Sequence, residues 1–146
     1  MSSDHSEQMS PASAVSISRQ SLNQIPTSFA TVSVGTPDDN LADKLSAISG
    51  AGFSAVELGF PDLVSFASKH HGKEVAEDDY DNLCSAGKEV AKMCEQNKLG
   101  IMMLQPFANF EGWAKGSDER KDAFDRAKGW IKIMQAVGTD MLQVTI

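Results

Sequence analysis

Four short apolar runs punctuate the chain: "FATVSVG" from Phe29, "FSAVELGF" from Phe53, "LGIMMLQPF" from Leu99 and "DMLQVTI" from Asp140, with helix-period stretches between them. This alternation constrains the fold more than any other feature. A helix between two strands carries the chain back so that the next strand restarts in the same direction, which predicts an α/β architecture with a parallel sheet. After the first run, Thr36 to Asn40 is rich in helix-capping residues, and Leu41, Leu45 and Ile48 recur at helical spacing before Gly50 and Gly52. After the second, a polar excursion leads to Leu83, Val90, Met93 and Cys94, which mark a helix ending near Asn97. After the third, Asp118 stands ready to cap a helix with Phe124, Ala127, Ile131 and Met134 as its apolar stripe, closing at Gly138 as a C′ glycine. Four strands and three helices are therefore expected. The strands "GIMML" and "MLQV" read as covered on both faces, as parallel strands usually are.

Residues 1–28 are Ser-rich, polar and aperiodic, the composition of a disordered tail, and they lack the basic and apolar regions of a secretory signal. The ordered domain is expected over 29–146. A chain of 146 residues with 41% hydrophobic and 23% charged content suits one globular domain. Its net charge of -7 argues against nucleic acid, which demands clustered Lys and Arg, and equally against an anionic membrane surface. No stretch approaches the ~18 apolar residues of a transmembrane helix. Cys84 and Cys94 fall in one helical pattern too far apart for a disulfide, so reduced thiols and a cytoplasmic location are expected. The chain stops on a strand, with no helix following Ile146 to cover it. It reads as cut short.

In parallel α/β folds the ligand-binding groups lie past the C-terminal ends of the strands, which places "LQPFANFEGW", Leu104 to Trp113, on the functional side. Gln105 offers an amide to a substrate hydroxyl or carboxylate, or to the loop backbone. Phe107, Phe110 and Trp113 either wall a ring-shaped ligand or pack the loop, and Glu111 is a solvent-facing carboxylate. Glu57, between Val56 and Leu58, points away from both in a pleated strand and either orients substrate or serves as a structural carboxylate. His70 and His71, adjacent within "SKHHGKE", read as a solvated turn rather than a metal site.

"GFSAVELGFPDL", "MCEQNKLGIMMLQPFANFEGW" and "AVGTDMLQV" together resemble the N-terminal half of the xylose-isomerase-like sugar phosphate isomerase/epimerase superfamily, nearest its fungal-type 3-dehydroshikimate dehydratase branch. The resemblance implies half of a (β/α)8 TIM barrel and a small-molecule substrate. In the full-length parent it implies one divalent metal, Mg2+ or Mn2+, beside an enolate-like intermediate. Its metal ligands belong to the second half of the barrel, so none is expected in this chain, which alone should be inactive. Glu57, Gln105 and Phe107 are the substrate-binding candidates. Gly59-Phe60-Pro61 departs from the branch, which has a His-containing segment there. The alternatives are a sugar isomerase or epimerase of the same superfamily, and a non-catalytic open-sheet binding module. Half a barrel leaves two unpaired strand edges, through which self-association is expected.

Overall fold

The computed structural model describes residues 25–145. The expected tail lies almost wholly outside them, as does the apolar end at Ile146. Strand β1 spans Ser28–Ala30, β2 Ala55–Gly59, β3 Gly100–Ala108 and β4 Leu142–Thr145, and all pair in parallel in the order β1-β2-β3-β4. Four helices rather than three connect them: α1 Leu41–Gly50, α2 Phe60–His71, α3 Tyr80–Gln96 and α4 Asp118–Val137. The helices share one buried core with the strands, as the usual right-handed crossover between sequential parallel neighbours would place them on one face of the sheet. This is half of a TIM barrel.

The additional helix, α2, replaces the polar excursion. Its buried face is Phe60, Asp62, Leu63 and Ala67, Pro61 stands in its first turn, and Gly72 ends it in the left-handed region with φ 65°. Pro is welcome there because the first N–H groups of a helix have no intrahelical partner. His70 and His71 therefore occupy the last turn of α2 and not a loop; the His70 ring stacks on Phe66 at 5.6 Å, and His71 Nε2 lies 3.2 Å from the Asn82 carbonyl.

The other helix termini follow their capping chemistry. Asn40 accepts from the Ala42 N–H to start α1, and Asp79 accepts from the Asn82 N–H to start α3. Ser117, not Asp118, caps α4, with Asp118 as its first residue. Gly138, at φ 81°, closes α4 as expected. The apolar stripe of α4 agrees with the expected one at Met134, which is buried, and at Ala127, which packs against the core; elsewhere Ala123, Trp130, Ile133 and Val137 are buried instead, and Phe124 and Ile131 are 46% and 50% exposed. The first strand is shorter than "FATVSVG", because the chain bends into a 3-10 turn at Thr31–Ser33 and sends the Thr31 hydroxyl to accept the Gly59 N–H at 2.9 Å.

A single core lies between the sheet and the helices, built from Val56, Leu58 and Leu104 of the strands against Leu45, Leu63, Leu83, Val90 and Ile133. The opposite face of the sheet is not covered in this way. The ladder pair Glu57 and Met103 on that face is only half-buried, and Met102 and Val144 remain 38% and 46% exposed, which corrects the expectation that β3 and β4 are covered on both faces. Among the described residues, no helix is long and apolar enough to cross a membrane. Cys84 and Cys94 are free. Burial pushes both thiols up, that of Cys94 to about 12.

Candidate functional site

Val56 and Leu58 enter the core, so the pleat of β2 turns Glu57 to the uncovered face. The register brings Gly59 opposite Gln105 and Ala30 opposite Glu57, so Gln105 stands level with the C-terminal end of β2, Glu57 at its middle, and Ser28 at the first residue of β1. There the Ser28 hydroxyl donates to Glu57 Oε1 at 3.0 Å, and Gln105 Nε2 donates to Glu57 Oε2 at 3.3 Å. Glu57 and Gln105, the two polar candidates from the sequence, thus meet directly. Ser28 was not among the candidates, and it completes a hydrogen-bonded row across β1, β2 and β3. Gln105 is 8% exposed, whereas Glu57 is half-buried.

Phe107 lies elsewhere. It is 1% exposed, its ring is 4.9 Å from that of Trp130 on α4, and the Arg126 guanidinium sits 5.1 Å above it. In a regular strand Gln105 and Phe107 would share a face. The ladder to β4 shifts register between Leu104 and Phe107, and that irregularity sends Phe107 to the helix side instead. Phe107 is therefore core, packed on the helix side of the sheet. Phe110 continues the same stack, 5.5 Å from Phe107 and 5.6 Å from Phe124, which explains how a partly exposed Phe124 is used. Phe107 and Phe110 of "LQPFANFEGW" fasten the loop onto α4.

Arg126 holds that loop. Its Nη1 and Nη2 donate to the carbonyls of Ala108 and Asn109 at 3.1 and 2.8 Å, its Nε pairs with Asp122 at 2.9 Å, and Trp113 Nε1 also donates to Asn109 at 3.0 Å. Two open clefts flank it. One, about 620 Å³, lies between Trp113 and Asp122, and the other, about 440 Å³, between Phe60, Tyr80 and Trp130. Neither reaches Glu57 or Gln105, because a four-stranded sheet presents its free face as an open wall and cannot enclose a cavity.

The ends of β1 and β2 are braced beneath this face. Lys44 Nζ and Asp62 Oδ1 form an ion pair at 2.8 Å with the side chains 3% and 1% exposed, tying α1 to α2. Asp62 Oδ2 is buried without a hydrogen-bond partner among the described residues. In the β1 to α1 loop, the Thr36 backbone and hydroxyl both donate to Asp39, and these bonds hold the Asp39 carboxyl below the usual carboxylate range.

Residues 45–145 match the family described as Xylose isomerase-like TIM barrel. A 3-dehydroshikimate dehydratase of Pseudomonas putida is 32% identical over 117 residues, 80% of this chain and 15% of the relative. A 3-dehydroshikimate dehydratase of Neurospora crassa is 24% identical over 107 residues, 72% of this chain and 30% of the relative. Among solved structures, a xylose isomerase-like TIM barrel/4-hydroxyphenylpyruvate dioxygenase fusion protein superposes with a TM-score of 0.61 at 32% identity, covering 80% of this chain and 15% of that one. The chain thus spans less than a third of these relatives' length.

Proposed function

Because the chain belongs to the xylose isomerase-like TIM barrel family, we propose that it forms the N-terminal half of a 3-dehydroshikimate dehydratase barrel in which Glu57 and Gln105 face the substrate. The observation that carries this reading is the row of Ser28, Glu57 and Gln105 on the face the helices leave free, which runs from the start of β1 through the middle of β2 to Gln105, level with the C-terminal end of β2. Barrel enzymes build their sites at that end. The relatives named for this activity support the choice of reaction.

Loss of water next to a ketone begins with removal of a proton and leaves negative charge on oxygen, which a general base and a divalent cation such as Mg2+ or Mn2+ serve in such enzymes. Among the described residues no three His, Cys, Asp or Glu side chains cluster closely enough to hold a metal. The residues described therefore do not fit an ion. What this half contributes is a fixed polar wall: Gln105 and Glu57 orient a small polar substrate, and Arg126 keeps the adjoining loop from shifting. Phe107 acts by packing that loop. A cytoplasmic setting agrees with two free thiols in one helix.

A chimera tests the reading. Residues 28–146 replace the matching segment of the Pseudomonas putida enzyme, and protocatechuate formation from 3-dehydroshikimate is followed with Mn2+. The isolated chain should give no turnover above the metal-free blank, and the chimera should turn over. A chimera with a normal melting transition but no product would assign this half to another substrate of the superfamily.

A further inference from the structure

An amide side chain has two unlike ends, a carbonyl that accepts and an NH2 that donates, and which end faces a ligand decides what the ligand must be. The neighbours of Gln105 settle that choice. A carboxylate accepts hydrogen bonds and donates none, so only the nitrogen end of Gln105 can face Glu57, as the 3.3 Å contact from Nε2 to Oε2 records. Ser28 holds the other oxygen, Oε1, at 3.0 Å, and the carboxylate is thereby fixed at both ends. None of the ion pairs among the described residues includes Glu57, so its charge is not cancelled by a cation nearby.

We propose that Ser28 and Glu57 lock the Gln105 amide with its carbonyl oxygen toward the ligand, and that the ligand group recognised there is a hydroxyl. This deepens the dehydratase reading and rests on its placing substrate against the free face. A ketone or carboxylate oxygen at the same place would meet a carbonyl oxygen, with no hydrogen to share. It would find no better partner in the second N–H of Gln105, since an anionic group reaching that hydrogen would approach the Glu57 carboxylate. The carboxylate of an acidic substrate is consequently turned away from this wall, and one of its ring hydroxyls is turned toward it. Ser28 and Glu57 are positioning residues, and Gln105 is the contact.

Side-chain amide NMR of the 15N-labelled chain reads the lock directly. Glu57→Gln keeps the shape but introduces a group that can donate, which releases the amide to turn over; Ser28→Ala removes one tether and Ser28→Thr restores it. The Gln105 NH2 signals should move in Glu57→Gln and Ser28→Ala and return in Ser28→Thr, with the backbone spectrum otherwise unchanged. Two probes then read the hydroxyl: shikimate, and cyclohex-1-ene-1-carboxylate, which keeps the ring and carboxylate and lacks the hydroxyls. Shikimate should bind roughly tenfold more tightly, through a hydrogen bond its partner cannot make, and should displace the Gln105 signals; the preference should vanish in Glu57→Gln. Unmoved Gln105 signals in a folded Glu57→Gln variant overturn the lock. Equal effects of the two probes, or no effect of either up to tens of millimolar, overturn the hydroxyl assignment. These results are separate from turnover by the chimera, which judges the dehydratase reading on its own.

Discussion

Replacing Lys44 by Met should destabilise the fold more than any surface change. Its ammonium and the Asp62 carboxylate meet at 2.8 Å with their side chains 3% and 1% exposed, and Asp62 already carries one oxygen without a partner. Lys44→Met removes the cation paired with this carboxylate and leaves a buried charge uncompensated. Breaking such a pair from one side costs roughly 3–5 kcal/mol, against a total stability of about 5–15 kcal/mol for a domain of ordinary size. With a urea slope of roughly 2 kcal/mol per molar, the midpoint should fall by about 2 M. Replacing both partners tells a different story, because well-packed apolar side chains often substitute for a buried pair at no net cost. Lys44→Met with Asp62→Leu should therefore recover most of the lost midpoint. Trp130, 6% exposed at the core, reports the transition by fluorescence, in a Trp113→Phe background that removes the exposed indole. A Lys44→Met midpoint equal to that of the parent, or a double variant no better than the single one, would refute the reasoning.

Three further outcomes follow from other parts of the molecule. Cys94 has its thiol pushed up to about 12 by burial, so the folded state keeps the proton that the unfolded chain gives up near 9.0; stability should fall as pH rises between these values, by up to ~1.4 kcal/mol per pH unit, and urea titrations should show a shallower fall in Cys94→Ala. Arg126→Ala removes the two donors to the Ala108 and Asn109 carbonyls and the cover of Phe107, so hydrogen exchange in residues 108–117 should accelerate while the helices stay protected; unchanged exchange would show that the aromatic stack alone holds the loop. The strands β1 and β4 each have one neighbour among the described residues and exposed Val144 lies at one edge, so sedimentation velocity should show self-association, whereas a stable monomer that leaves a hydrophobic dye dark would favour a self-sufficient open sheet.

The strand count and order were legible because each apolar run is bounded by Gly, Pro or polar turns and separated from the next by a helical period. Helix α2 was not, since its buried face includes Asp62, a residue that hydropathy assigns to solvent, and the ion pair with Lys44 that makes burial tolerable spans two helices. In α4 Met134 and Ala127 were read correctly, but two positions of the stripe were misread: Ala123 is small and Gly129 has no side chain, so the larger Phe124 and Ile131 dominated the pattern although they lie outside the core. Alternation alone placed Glu57 correctly on the free face. For Phe107 the sequence left ligand wall and loop packing both open, and it could not decide between them because no sequence signal marks the register shift between Leu104 and Phe107 that turns the ring to the helix side. Ser28 was hidden in a Ser-rich stretch, where its neighbours in sequence gave no reason to separate it from the tail.

The substrate-facing role of Gln105 is the central claim, and steady-state kinetics of Gln105→Ala in the dehydratase chimera tests it most directly. Removing the amide leaves a substrate group and the Glu57 carboxylate without their partner, a loss of roughly 1–3 kcal/mol. The value of kcat/KM for 3-dehydroshikimate should fall by about one to two decades, at ~1.4 kcal/mol per decade, with the melting transition unchanged. Phe107→Leu, which alters only loop packing, should cost less activity than stability. Parental kcat/KM in a normally stable Gln105→Ala variant would contradict the account and reduce the row of Ser28, Glu57 and Gln105 to scaffolding.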